Sequence, residues 1–339
     1  MREHDRILLG HGSGGRLTGE LVREVFLPAL QNPYLAELSD SAILPELGAG
    51  RPALTTDAFV VDPLLFPGGD LGYLSVCGTV NDLAVAGAVP QSLTWALILE
   101  EGLETETLRT ITAGAARAAR EAGVPIVAGD TKVVPKGKGD GAFAVTAGLG
   151  IVPPGREVSD GALRPGDRLV VSGPLGDHGA TVMACRHDMA GDALRSDAAP
   201  LAGLIAAVFE AGLRPRTMHD PTRGGVATTV FEMAARAGVQ IELDEAELPI
   251  RPAVSAVCDL LGLDPLYLAC EGRVILAVAP EEEAALHALL ADHPQGAGAA
   301  TIGRVIESES RGVPVRLRTR VGGLRPLDLL SGMDLPRIC

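Results

Sequence analysis

Apolar positions recur along the chain at two periods, and the switches between them outline its elements. Leu17, Leu21, Val22, Val25 and Phe26 follow the helical period and predict an amphipathic helix over 17–30. Ala53 to Asp57 is a short apolar run that ends on a carboxylate, preceded by Ala42–Leu44 beside Asp40. Residues 71–87 read as a helix in which Asn81 and Asp82 sit among Val76, Val80, Leu83, Ala84 and Val85. A strand over 91–99 leads to an alanine-rich helix over 103–122, stopped by Gly123. Val124–Ala128 reads as a buried strand running into Gly129-Asp130-Thr131-Lys132, and 142–151 as another strand.

Val152-Pro153-Pro154-Gly155 is the natural linker. Beyond it, strands are predicted at 168–172, 273–278, 299–305 and 313–317, with helices over 201–211, up to Ala237, and over 281–290. The elements do not alternate regularly as βαβ units, which predicts an α+β fold over a doubly wound one. The expected segments are 1–154, 155–325 and a mobile tail, 326–339.

Composition narrows the class. The chain has 339 residues, 47% of them hydrophobic and 21% charged, enough to build about two cores. A formal charge of −14 with 3% aromatic residues excludes a nucleic-acid surface, because no basic stripe exists to neutralise phosphates. No apolar run approaches the length of a membrane span and no signal segment is visible, so the expected setting is cytoplasmic, away from membranes. Five scattered cysteines, Cys77, Cys185, Cys258, Cys270 and Cys339, fit reduced thiols better than disulfides or a zinc site. Lysine occurs only at 132, 136 and 138, in one short segment of a chain that otherwise relies on arginine. An ammonium is a compact charge suited to approach a phosphate, although the same run also reads as a solvated loop.

The polar residues suggest a chemistry. Asp40, Asp57, Asp82, Asp130 and Asp220 lie far apart in sequence, most of them at predicted strand ends or glycine-flanked turns, and hard cations such as Mg²⁺ take oxygen ligands. Gly10 to Gly15 is glycine-rich, including Gly12, Ser13, Gly14 and Gly15, and suits either a phosphate-covering loop or a plain flexible arm. With a lysine nearby, the set points to ATP-dependent phosphoryl transfer, although no P-loop and no kinase signature is present. Cys339 follows Pro336, Arg337 and Ile338, which places a nucleophilic sulfur on a mobile segment. The residues alone leave three readings open: an enzyme acting on a group carried by Cys339, a small-molecule ATP-dependent kinase or synthetase, and a non-catalytic thiol carrier or metallochaperone.

Seven motifs together narrow this further. They are His11-Gly12-Ser13-Gly14-Gly15, Thr55-Thr56-Asp57 through Pro63, Gly78-Thr79-Val80-Asn81-Asp82, Gly129-Asp130-Thr131-Lys132, Asp220-Pro221-Thr222-Arg223-Gly224-Gly225, Cys270-Glu271-Gly272-Arg273, and Pro336-Arg337-Ile338-Cys339. Their combination resembles the HypE family, the carbamoyl dehydratases of [NiFe]-hydrogenase maturation, within the aminoimidazole ribonucleotide synthetase and selenophosphate synthetase superfamily. The resemblance covers essentially the whole chain. It implies a two-domain PurM-like fold, with an N-terminal ATP-binding and dimerisation domain. It also implies ATP and Mg²⁺ as cofactors, a homodimer, and HypF and the HypC–HypD complex as partners. By the same resemblance Cys339 carries the carbamoyl group and Lys132 and Glu271 line its pocket, with Glu271 as proton acceptor. Asp57, Asn81, Asp82, Asp130 and Asp220 join Gly12 to Gly15 at the nucleotide, and the five aspartates hold the metal.

Overall fold

The computed structural model describes residues 6–13, 15–36, 38, 41–189, 191–308, 313–329 and 337–339. Gly14, Asp40 and positions 330–336 of the expected tail lie outside the described residues.

The expected N-terminal helix is built in pieces. α1 (Arg16–Leu21) runs into a π-turn (Val22–Phe26), then α2 (Leu27–Leu30) and α3 (Pro33–Ala36). Pro28 has no N–H to offer the Glu24 carbonyl, so the ladder changes register there. Arg109 Nη1 donates to that carbonyl at 2.9 Å. The chain continues through β1 (Arg51–Phe59), the small hairpin β2 (Leu65–Phe66) and β3 (Gly69–Asp70), α4 (Leu71–Val85) and β4 (Val89–Glu100). α5 (Thr105–Ala122), β5 (Ile126–Val134) and β6 (Ala142–Val152) complete this half.

Four strands form one sheet in the order β1-β6-β4-β5. Alternation along each strand sends Leu93, Trp95, Leu97 and Leu99 into a core with α4 and α5, while Leu54, Ile98 and Val145 stand exposed on the other face. Buried Asp70 caps α4 by accepting the Tyr73 N–H at 2.9 Å.

The second half contains β7 (Arg168–Val171), α6 (Asp177–Arg186), α7 (Ala202–Glu210), β8 (Thr217–His219), α8 (Gly225–Ala237), β9 (Gln240–Asp244) and α9 (Pro252–Leu261). It ends with β10 (Ile275–Val278), α10 (Glu283–Asp292), β11 (Ala300–Ile306), β12 (Val315–Arg318) and β13 (Leu324–Leu327). Its seven strands run β13-β12-β9-β11-β7-β10-β8, antiparallel throughout except where β12 lies parallel to β9. α7 and α10 pack on one face and α8 on the other. The fold is α+β. Among the described residues no helix is long and apolar enough to cross a membrane.

Several elements lie outside the sequence expectation, among them the short strands β2, β3, β8 and β13 as well as α6, α9 and β9. α6 is buried through Asp177–Ala184, so it has no polar face to reveal a helical period. α9 was likewise not anticipated. β9 does alternate, Gln240 and Glu242 against Ile241 and Leu243, and that signal was available. The expected strand end at Gly129–Lys132 is also corrected. β5 runs straight through it, so Asp130 stands within a strand, and Asp57 likewise sits inside β1.

The two halves are joined directly. Ala84 and Val85 of α4 enter the core formed by Leu204, Ile205, Val208 and Phe209. Beside them, Asn81 donates from Nδ2 to the carbonyls of Ala199 (3.1 Å) and Glu271 (3.2 Å) and accepts the Leu201 N–H at 2.7 Å.

Candidate functional site

The site begins where β1 faces α4. Thr55 and Asp57 share the inner face of β1, because they are two residues apart on a strand. Thr79 and Asp82 are three apart on α4 and therefore share a helix face. Thr55 Oγ1 donates to Asp82 Oδ2 at 2.7 Å, and Thr79 Oγ1 lies 3.0 Å from Asp57 Oδ2. Asp220, just beyond β8, and Glu271, before β10, bring carboxylates from the second half.

No arginine or lysine neutralises this group by direct contact among the described residues, and the carboxyl groups act on one another. Burial pushes the Asp82 carboxyl up to about 6, with the Asp57 charge adding to it. Asp220 rises to about 7 through burial and then the charge of Asp82, although solvent reaches it from one side. Glu271, 1% exposed, is held well above the carboxylate range by burial, then by Asp220 and Asp197. Its Oε1 has no hydrogen-bond partner among the described residues. Buried carboxyls in this condition favour either protons or a cation.

Ile338 and Cys339 lie in the same place. Val60 N–H donates to the Cys339 carbonyl at 3.1 Å and Asp62 N–H to the Arg337 carbonyl at 3.3 Å, an antiparallel strap laid on the exit of β1. Arg337 Nε donates to the Val60 carbonyl at 2.9 Å, and the Arg337 guanidinium pairs with Asp140. The Ile338 side chain is 5% exposed within the first half's core, a burial worth about 2 kcal/mol. Burial pushes the Cys339 thiol up. Glu271 is the charge that adds most, and Arg223 opposes it. A cavity of about 290 Å³ opens beside the sulfur, lined by Ala58, Val60, Arg223, Gly224, Tyr267 and Ala269 together with 337–339.

Arg223 also lines a larger polar cleft of about 470 Å³, with His219, Asp220, Thr222, Thr228, Thr229, Glu232 and Arg236. This cleft lies at the N-terminus of α8, whose entry is Gly224 and Gly225, at φ +77° and +59°. A side chain at 225 would meet the Leu266 and Leu268 carbonyls at 2.5 and 2.6 Å, so only glycine lets the turn lie this close to them. Arg223, the threonine hydroxyls and a helix N-terminus suit an anion, while Arg236 is paired with Glu232 at 2.7 Å and Asp160 at 3.3 Å. Arg223 lines both cavities, and Asp220 lines the larger one.

The anticipated residues thus fall into two groups. Asp57, Asp82, Asp220, Glu271 and Cys339 come together. Asp130 and Lys132 do not join them. They pair with each other at 2.7 Å, well exposed on β5, and Lys132 holds the Asp130 carboxyl low. Gly12 packs on the backbone at Lys132–Val133, where a Cβ would lie 2.3 Å from the Val133 nitrogen, so the glycine-rich turn belongs with β5. Ser13 Oγ donates to the Gly10 carbonyl at 2.9 Å, and Gly15 precedes α1 in an exposed position. β5 and β1 are the two edges of the sheet, three strand spacings or roughly 14 Å apart.

Two expectations are corrected in detail. Asn81 is 1% exposed with its amide engaged by backbone, so it joins the halves and holds the Glu271 peptide instead of facing the cleft. Of the five aspartates, Asp130 stands apart on β5 and Asp40 lies outside the described residues, and among the described residues no three metal-ligating side chains converge on a point. A Mg²⁺ ion here would take one or two carboxylates and complete its shell with phosphate and water. Reasoning from sequence missed Arg223, which lies inside a motif already singled out, and His178, whose Nε2 is 2.9 Å from the Ile338 carbonyl.

Comparison with known proteins agrees over nearly the full chain. Residues 39–152 match the AIR synthase related protein N-terminal domain and residues 164–316 its C-terminal domain. Carbamoyl dehydratase HypE of Rhodobacter capsulatus is 50% identical, aligning 99% of this chain with 98% of its own length. The crystal structure of the hydrogenase maturation protein HypE in complex with ATP superposes with a TM-score of 0.93 at 42% identity, covering 98% of this chain and 99% of that one. A crystal structure of a HypE–HypF complex matches with a TM-score of 0.78 at 42% identity, covering 91% and 99%.

Proposed function

The chain belongs to the HypE carbamoyl dehydratases of hydrogenase maturation, a branch of the AIR synthase related proteins, and from that premise we propose that it converts an S-carbamoyl group on Cys339 to a thiocyanate at the expense of ATP. The observation that carries this reading is the position of Cys339, seated between Glu271 and Arg223 at the junction of an acidic group and an anion-binding cleft.

HypF loads the carbamoyl group, giving S–C(=O)NH₂. Hydroxide is too poor a leaving group to depart from it directly. The carbamoyl oxygen therefore attacks the γ-phosphate of ATP and ADP leaves. Loss of one N–H proton gives an S–C(=NH)–O–phosphate. Loss of the second proton and cleavage of the C–O bond release phosphate and leave S–C≡N. The cleft at α8 binds the phosphates through Arg223 and the threonines. One or two of Asp57, Asp82 and Asp220 would hold Mg²⁺, which would supply positive charge against the transferring group. Filling that position would also lower the Glu271 carboxyl by removing its unscreened acidic neighbours, which readies Glu271 to accept an N–H proton.

Lys132 enters this scheme through a homodimer. The uncovered face bearing Leu54, Ile98 and Val145 supports pairing with a second copy. A twofold axis running along the strands would set β5 of one copy over β1 of the other, at the ~10 Å spacing of stacked sheets. The partner's Lys132 then completes the pocket from which this chain's own Lys132 is separated. The five unbridged cysteines suit a cytoplasmic setting, and delivery of cyanide to iron is assigned to HypC–HypD.

Intact mass of the carbamoylated protein tests the reading. ATP and Mg²⁺ should remove one water from an adduct on Cys339. Water loss that persists in Cys339→Ala, or an adduct that ATP leaves unchanged, would overturn it.

A further inference from the structure

The Ile338 peptide meets one side chain that the chemistry above does not use. His178 is fully buried in the first turn of α6, with its ring edge-on to Phe66 at 5.4 Å between centroids. Its Nε2 lies 2.9 Å from the Ile338 carbonyl and its Nδ1 2.8 Å from Ser196 Oγ. A carbonyl can only accept, so Nε2 carries the hydrogen. In the neutral ring Nδ1 then accepts from the Ser196 hydroxyl, whose oxygen in turn accepts the Ala198 N–H at 3.1 Å. Burial favours that neutral form. The ring is held in one tautomer and one orientation, which a packing histidine does not require.

α6 is also tied to the segment that carries Glu271. Gly179 N–H donates to the Ala269 carbonyl at 3.0 Å, and Gly176 N–H to Cys270 Sγ at 3.1 Å. The same helix end therefore holds the base two residues away on one side and the peptide before Cys339 on the other. The strap on Val60 and Asp62 is backbone pairing that any short sequence could make, and Arg337 and Arg186 contact it from more exposed positions. We infer that His178 is the positioning residue that locks the Ile338 peptide and so sets Cys339 against Glu271. It has no part in moving protons or phosphoryl groups. Loading by a partner requires this bond to break, and dehydration requires it to form. The inference deepens the function proposed above and rests on it for the chemistry, but not for the docking itself.

The test separates the two. In the full-length protein, alkylation of Cys339 by iodoacetamide is followed by peptide mass, with Cys185 on the same helix as internal reference. His178→Phe keeps a ring against Phe66 and removes both hydrogen bonds. It should speed Cys339 alkylation about 10-fold, the change expected for one buried bond lost, and leave Cys185 unchanged. His178→Gln, whose amide nitrogen can reach the same carbonyl, should restore most of the protection. Ser196→Ala, which only unfixes the ring, should speed alkylation about 3-fold and serves if His178→Phe fails to fold. ATP-dependent water loss should fall in step with protection across the series while carbamoyl loading does not. Cys339 alkylation within 2-fold of wild type in a folded His178→Phe protein overturns the inference, as does a parallel rise at Cys185. Protection that depends on His178 in a protein that loses no water leaves the docking role standing and sinks the proposed reaction instead.

Discussion

Two sets of carboxylates in this molecule are treated in opposite ways. Glu242, 5% exposed on β9, accepts from Arg304, Arg316 and Arg318, each at 3.0 Å. Burial pushes its carboxyl up, but the three guanidinium groups outweigh that and hold it low. Asp160 behaves alike: bonds from His219 and Thr217 overcome burial and bring it down to about 2. Asp82, Asp220 and Glu271 have only threonine hydroxyls, backbone and one another, and all are raised. A buried carboxylate with its partners present holds the fold together. One left without them is a site waiting for a charge that the protein does not itself supply.

That contrast can be broken most sharply at Asp82. Asp82→Asn should lower ATP-dependent dehydration about 10²-fold or more while carbamoyl loading continues, as read by intact mass. Dehydration at the normal rate would remove the acidic group from the mechanism. The separation of Lys132 from that group gives the next test. Lys132→Ala and Asp82→Asn should each be inactive. Co-expressed, they should recover roughly a quarter of wild-type activity, because half the dimers are mixed and each holds one complete site. No recovery would place Lys132 and the acidic group in one chain's site.

Glu242→Gln probes the opposite class. It leaves three guanidinium groups around a neutral amide and should cost about 1–3 kcal/mol of stability in urea unfolding, with dehydration by the folded protein unchanged. The smallest effect is in pH. Asp82 is raised to about 6, so between pH 4 and pH 6 the native protein keeps a proton that the unfolded chain has lost. Its contribution to stability therefore falls as pH rises through that window and is lowest above it. Asp82→Asn should remove that slope, making the protein lacking Mg²⁺ about 1–2 kcal/mol more stable at pH 7 after allowance for partial exposure. Mg²⁺ affinity, measured by calorimetry, should rise from pH 6 to pH 8 as the protons on Asp82 and Asp220 cease to compete.

The sequence by itself determined the fold class, the helices around 71–87 and 103–122, most strands, and the residue types of the site, because periodicity and turn chemistry act over a few residues. It also marked Asp40, Asp57, Asp82, Asp130, Lys132, Asp220, Glu271 and Cys339 as one set, largely through motifs that stand or fall together. It did not show α6, whose even burial erases the helical period, nor the strand through Asp130. Only the tertiary structure decided which of those residues meet. Sheet order puts β1 and β5 on opposite edges, so two motifs that look equivalent in sequence end up roughly 14 Å apart. Asn81 and Asp82 are neighbours in the chain, yet one faces the backbone of the second half and the other faces Asp57, because successive residues on a helix point about 100° apart. His178 acquired its partner from 160 residues away. Pairings of that range depend on how sheets and helices stack, which no local pattern encodes.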